Sequence, residues 1–91
     1  MNILSIGTVL AMKAGAGDEP RRVYWVGDPG AECQLCHRAL KSAFVDGRTR
    51  APGSWANMCL LCHSVYGVGL GTGRGQLYEK QADGRWLKVE G

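Results

Sequence analysis

Cys33-Gln34-Leu35-Cys36-His37 and Cys59-Leu60-Leu61-Cys62-His63 are the two stretches on which the fold of this chain turns. Each contains a C-x-x-C pair, and twenty-two residues separate the pairs. A C-x-x-C segment can turn so that both sulfurs, and the amides that polarise them, face one point; two such knuckles supply four thiolates to a tetrahedral Zn²⁺. The interval is slightly longer than usual for a zinc ribbon and fits a hairpin, or a short helix plus a hairpin. The expected ligands are therefore Cys33, Cys36, Cys59 and Cys62 around one zinc ion. A closed four-sulfur shell leaves no position for water, so such a zinc holds the fold and does not catalyse.

Three other chemistries draw on the same residues. C-x-x-C-H is the attachment signature of c-type haem, so a dihaem electron carrier would use every cysteine together with His37 and His63. It would also require export and distal ligands, and Met58, adjacent to its own motif, is badly placed to serve. Disulfides require an oxidising compartment. A thioredoxin-like pair would want a βαβ unit and would leave the second pair unexplained. Under the zinc reading, His37 and His63 become groups that hydrogen-bond near the knuckles and are not ligands.

Composition explains why a metal is needed. In a chain of 91 residues, Leu, Ile, Val and Phe make up about a fifth, close to the limit at which apolar burial stops offsetting conformational entropy. Fourteen glycines add to that entropy and favour turns and strands over helices. Structural zinc in small modules contributes on the order of 10–16 kcal/mol, comparable with the whole net stability of about 5–15 kcal/mol of an ordinary domain. A chain of this length leaves no room for a two-domain enzyme, and no nucleophile-base pair, paired acidic site or open metal position is legible; a non-enzymatic protein without a small-molecule substrate is expected.

Residues 1–32 read as an N-terminal extension: an apolar arm with Ile3, Leu4, Ile6, Val9 and Leu10, a Gly/Pro hinge at 15–20, and a short strand at Val23-Tyr24-Trp25-Val26. No Lys or Arg precedes the arm and Gly7-Thr8 interrupt it, which argues against a secretory signal. No eighteen-residue apolar run exists to span a membrane. Residues 33–91 form the domain proper. Within them, Arg38 to Lys41 suggests a helical turn, Ala43-Phe44-Val45 a strand, Asp46-Gly47 and Ala51-Pro52-Gly53 turns, and residues 76–89 a β-hairpin around Asp83-Gly84. The fold class expected is a small β-rich, or α+β, zinc-ribbon-like domain with two Cys-x-x-Cys knuckles and a C-terminal β-hairpin.

Between helix-poor elements lies a glycine series, Gly67, Gly69, Gly71, Gly73 and Gly75. All five are odd-numbered, which excludes the five-residue glycine interval that both G-x-G-x-x-G and G-x-x-x-x-G-K-[ST] require. If extended, the series has one face without side chains, open to a backbone, to Trp55 or to a ligand, with Arg74 able to reach a phosphate or carboxylate. The formal charge is +3, but four thiolates with one Zn²⁺ add a net −2, leaving about +1. Nucleic acid is thus the alternative partner, to be met by Arg38, Lys41, Arg48, Arg50 and Arg74 with Trp55 or Tyr66 as stacking surfaces. The plain alternative buries Trp55 and Tyr66 in the core.

Phe44-Val45-Asp46-Gly47-Arg48-Thr49, Trp55-Ala56-Asn57-Met58-Cys59 and Gly69-Leu70-Gly71-Thr72-Gly73-Arg74-Gly75-Gln76 together resemble small zinc-ribbon-like proteins of bacteriophages and mobile elements. The resemblance covers about half the chain and excludes residues 1–32. It implies zinc on Cys33, Cys36, Cys59 and Cys62, and a phage or prophage setting; it implies no particular activity. The expectation it leaves is an accessory or virion protein, in the bacterial cytoplasm or the particle, that binds a host or phage protein complex. Arg48, Arg50, Trp55 and Arg74 are the candidate contacts.

Overall fold

Ala43-Phe44-Val45 opens strand β1 (Ala43–Arg48), and the strand continues through Asp46-Gly47, where the sequence suggests a turn. Pairing on both edges overrides that local preference. Gly47 lies opposite Ala56 on one side and Gly75 on the other, and a Cβ on it would meet the Arg74 carbonyl oxygen at 3.0 Å. The computed structural model describes residues 21–91; the apolar arm and hinge expected at 1–20 lie outside the described residues.

Three more strands, β2 (Trp55–Met58), β3 (Gly75–Lys80) and β4 (Trp86–Glu90), complete an antiparallel sheet of order β2-β1-β3-β4. Thr49 closes the β1–β2 connection: its amide and its hydroxyl both donate to the Ser54 carbonyl, at 2.9 and 3.1 Å. The turn expected at Ala51-Pro52-Gly53 is present there, with a cis Ala51–Pro52 peptide and Gly53 at φ 96°. One helix, α1 (Leu60–Tyr66), follows β2 and packs on β1 and β2.

The hairpin expected near the C-terminus is β3–β4, joined by a loop in which the Gln81 amide donates to the Arg85 carbonyl at 2.7 Å. Gly84 takes φ 89° and the Asp83 carboxylate accepts the Arg85 amide, so Asp83-Gly84 supplies the reversal. Register slips between Leu77, opposite Glu90, and Tyr78, opposite Lys88. Val89 is therefore an extra residue on β4, a β-bulge in the pairing.

Aromatic rings fill the core at this end. Phe44 and Tyr78 are direct partners across β1 and β3, and their rings stack at 5.2 Å. Trp86 and Trp25 meet Phe44 edge-on at 4.9 and 5.4 Å. Trp25 reaches them because Val23 to Trp25 adds to the outer edge of β4: the Trp25 amide donates to Trp86 and Lys88 donates to the Val23 carbonyl, at 2.9 and 2.8 Å. The expected helical turn at Arg38 to Lys41 is instead extended, with Ala39 bridged to Glu32 and the Leu40 amide bonded to the Ala31 carbonyl.

Candidate metal centre

The first cysteine pair sits on a tight knuckle. The Cys33 amide donates to the Arg38 carbonyl at 2.8 Å, and the His37 amide turns back onto the Cys33 carbonyl at 2.9 Å. Closing that turn puts His37 at φ 65°, a left-handed conformation costing an ordinary residue roughly 1–2 kcal/mol and somewhat better tolerated by His. The residue after Cys36 thus serves through its backbone. Its imidazole is exposed and lies 3.6 Å from the Glu32 carboxylate.

The second pair is not a knuckle of the same kind. Cys59 is the N-cap of α1, and its sulfur accepts the Cys62 amide at 3.4 Å. Cys62 lies in the first turn of that helix and is buried. The Leu60-Leu61 pair between them begins a helix that glycine-rich composition had argued against. Seven residues suffice because the helix is held at its start by Cys59 and at its end by Gly67, whose amide donates to the His63 carbonyl.

The two halves are brought together by a strap that the sequence did not advertise. The Gln34 amide donates to the Asn57 carbonyl at 2.9 Å, and the Asn57 amide donates back to the Gln34 side-chain oxygen at 2.7 Å. The Asn57 side chain also donates to the Pro29 carbonyl. This fastens the knuckle onto the outer edge of β2, two residues before Cys59. The result places the sulfurs of Cys33, Cys36, Cys59 and Cys62 all within 4.8 Å of one another, with Cys36 and Cys59 at 3.7 Å. Tetrahedral ligation with metal–sulfur bonds of about 2.3 Å needs sulfur–sulfur separations of about 3.8 Å, so the cluster can hold one metal ion.

Electrostatics divides the thiols. Burial raises the Cys33 pKa, but the amides of Cys36, Cys59 and Leu35 donate to its sulfur and outweigh that, bringing it down to about 6. Cys62, buried and crowded by the other sulfurs, is pushed up to about 12. The Cys33 sulfur is thus solvated as an anion by backbone amides while Cys62 holds its proton, one that a bound cation would displace.

His63 is bonded to the glycine segment. Its Nε2 lies 3.0 Å from the Gly69 carbonyl oxygen, which ties the glycine segment to α1. Among the described residues neither imidazole hydrogen-bonds a cysteine sulfur. The contact requires Gly67, where a Cβ would collide with the His63 ring and lie 2.7 Å from the His63 carbonyl oxygen. Nor is the glycine series an extended strand with one bare face. Gly69, Gly71 and Gly73 all have positive φ, and the chain reverses over Gly71 to Gly75 before entering β3.

Trp55 and Tyr66 are not in the core. They are 48% and 53% exposed, and together with Leu35, Thr49 and Pro52 they line an open groove of about 540 Å³. Arg48 and Arg50 reach the glycine segment instead, their Nε groups donating to the carbonyls of Gly73 and Gly67 at 3.3 and 3.2 Å. Arg74 covers Gly71, its Nη2 3.2 Å from where a Cβ would stand. The candidate residues therefore fall into two groups, four sulfurs at one site and three arginines around one loop, with Trp55 opposite Arg48 in the β1–β2 register.

No protein-family model, no curated protein and no solved structure matches the chain. Among the described residues, no helix is long and apolar enough to cross a membrane.

Proposed function

We propose that the chain is a non-enzymatic, zinc-ribbon-like module in which one structural Zn²⁺ on Cys33, Cys36, Cys59 and Cys62 fixes a protein-binding surface. The observation that carries the reading is the convergence of all four sulfurs on one point. Two haem groups would each need a separate cysteine pair with its histidine free to ligate, whereas here the pairs share a centre and His63 is engaged with Gly69. Four thiolates complete the coordination of zinc and leave no site for a reacting water.

What the metal would hold in place is apolar. Leu35 from the knuckle and Leu61, Val65 and Tyr66 from α1 line a second shallow depression beside Cys36 and Cys62, and each is at least 39% exposed. Exposed aliphatic and aromatic side chains grouped on one small rigid surface suit the centre of a protein interface. In the phage setting that the sequence resemblance suggests, the partner is a host or phage protein in the bacterial cytoplasm or virion.

The surface is tested with the double variant Leu61→Gln, Val65→Gln, which keeps good helix formers in α1. Affinity capture from nuclease-treated host lysate should recover a partner with the parent protein and lose it with the variant, both proteins binding equal zinc. Equal recovery by both proteins would place the interface elsewhere.

A further inference from the structure

Three arginines converge on the glycine segment, and the metal module has no use for their charge. Arg48 and Arg50 each place Nε–H on a loop carbonyl, which orients the guanidinium and leaves its Nη groups without a hydrogen-bond partner among the described residues. Arg74 lies across Gly69 and Gly71, at 3.2 to 4.0 Å from the positions their Cβ atoms would take. The ion pairs among the described residues are His37 with Glu32 and Arg85 with Asp83; none involves Arg48, Arg50 or Arg74. Two other cations sit over rings, Arg85 over Tyr24 and Lys80 over Trp86. Three exposed guanidiniums, two held by carbonyls and one laid over glycines, with no acidic partner among the described residues, are an anion-binding surface.

The neighbourhood says which anion. Gly73 has open space where a side chain would be, so a polymer backbone can approach the loop closely. Trp55 pairs with Arg48 across β1 and β2, and its half-exposed ring stands at the groove it shares with Tyr66. Guanidiniums beside flat, accessible rings match a strand whose phosphates and unstacked bases alternate. A duplex keeps its bases in its own stack and offers the rings nothing. We propose that Arg48, Arg50 and Arg74 bind the phosphates of single-stranded nucleic acid while Trp55 stacks on a base. The site adjoins the apolar surface on α1 but does not depend on what binds there.

The test uses zinc-loaded full-length protein and a fluorescein-labelled twenty-nucleotide oligo-dT, read by anisotropy against salt. Three phosphate contacts on a single strand give a slope of log K against log salt of about −2, at about −0.7 per contact. Arg74→Gln, which removes no hydrogen bond of the fold, should weaken binding several-fold and flatten the slope by about 0.7. Trp55→Leu, which keeps apolar bulk without a π-face, should weaken binding about tenfold at unchanged slope. Zinc content and circular dichroism of both variants should equal the parent's. A duplex of the same length should bind less tightly. Leu61→Gln with Val65→Gln should leave oligonucleotide binding intact, which separates this site from the protein surface. Absence of binding in low salt overturns the proposal. So does affinity unchanged in both variants, displacement by inorganic phosphate at equal phosphate concentration, or equally tight binding of a poly-glutamate peptide.

Discussion

The two ends of this small sheet are held by different means. At one end β2 and α1 meet the knuckle around four sulfurs, with Leu35, Leu61 and Val65 left facing solvent. At the other, β1, β3 and β4 close over Phe44, Tyr78, Trp86 and Trp25, with Phe44 touching the other three rings and Trp25 also touching Tyr78. The two ends nevertheless share one buried core, in which Cys33, Cys62, Met58 and Leu40 pack with Phe44, Tyr78 and Trp86, so a change at the sulfurs reaches the rings. On the proposed zinc reading, large apolar side chains can stay exposed beside the sulfurs because ligation, and not their burial, would supply the stability there.

The most severe way to break that division is to remove a buried ligand. Cys62→Ser should abolish stoichiometric zinc binding and unfold the domain, since Cys62 belongs to the same buried core as the rings; loss of far-ultraviolet dichroism together with zinc would show it. A variant that lost zinc but kept a native aromatic near-ultraviolet signal would mean that the sheet stands alone. Next in size, Phe44→Ala removes the ring common to three of the aromatic contacts and should cost about 3–5 kcal/mol by denaturant unfolding, with zinc stoichiometry intact. Trp25 sharpens the point, because its indole Nε1–H is buried without an acceptor among the described residues. Trp25→Phe should therefore cost little beside Trp25→Ala.

Smaller effects probe each end separately. At the sulfur end, His37→Gly relieves a left-handed backbone and should raise stability by about 1 kcal/mol while zinc is retained; loss of zinc would make the imidazole a ligand. On β1, burial raises the Asp46 pKa above its usual value. The folded state then binds this proton more readily than the unfolded one, so its contribution is favourable in acid and is lost as pH rises through the raised value. Asp46→Asn should accordingly gain about 1–2 °C in Tm at neutral pH. That advantage over the parent, measured at each pH, should vanish below about pH 4.

The same division governs what could be read from the sequence. Cysteine spacing reports the four-sulfur cluster directly, because residue type and turn geometry are local; the β-hairpin over 75–90 is legible for the same reason, through alternation and Asp83-Gly84. The helix carrying Cys59 and Cys62 was hidden, since seven residues give too little periodicity and the following glycines point away from helix. Asp46-Gly47 misleads because its turn chemistry is overridden by partners on both edges of β1. Gln34 and Asn57, which fasten the knuckle to β2, carry no motif: their role comes from a backbone pairing across residues distant in the chain. Trp55 and Tyr66 were legible as aromatics but not as exposed ones, because the sequence does not show that Trp25 takes the place beside Phe44.

Native mass spectrometry of the purified full-length chain, with elemental analysis on the same sample, tests the central claim most directly. The account predicts one zinc ion per chain, four cysteines protected from alkylation until a chelator is added, and no visible absorbance. Covalently attached haem, cysteines paired as disulfides, or a folded protein whose thiols all alkylate without a chelator would contradict it.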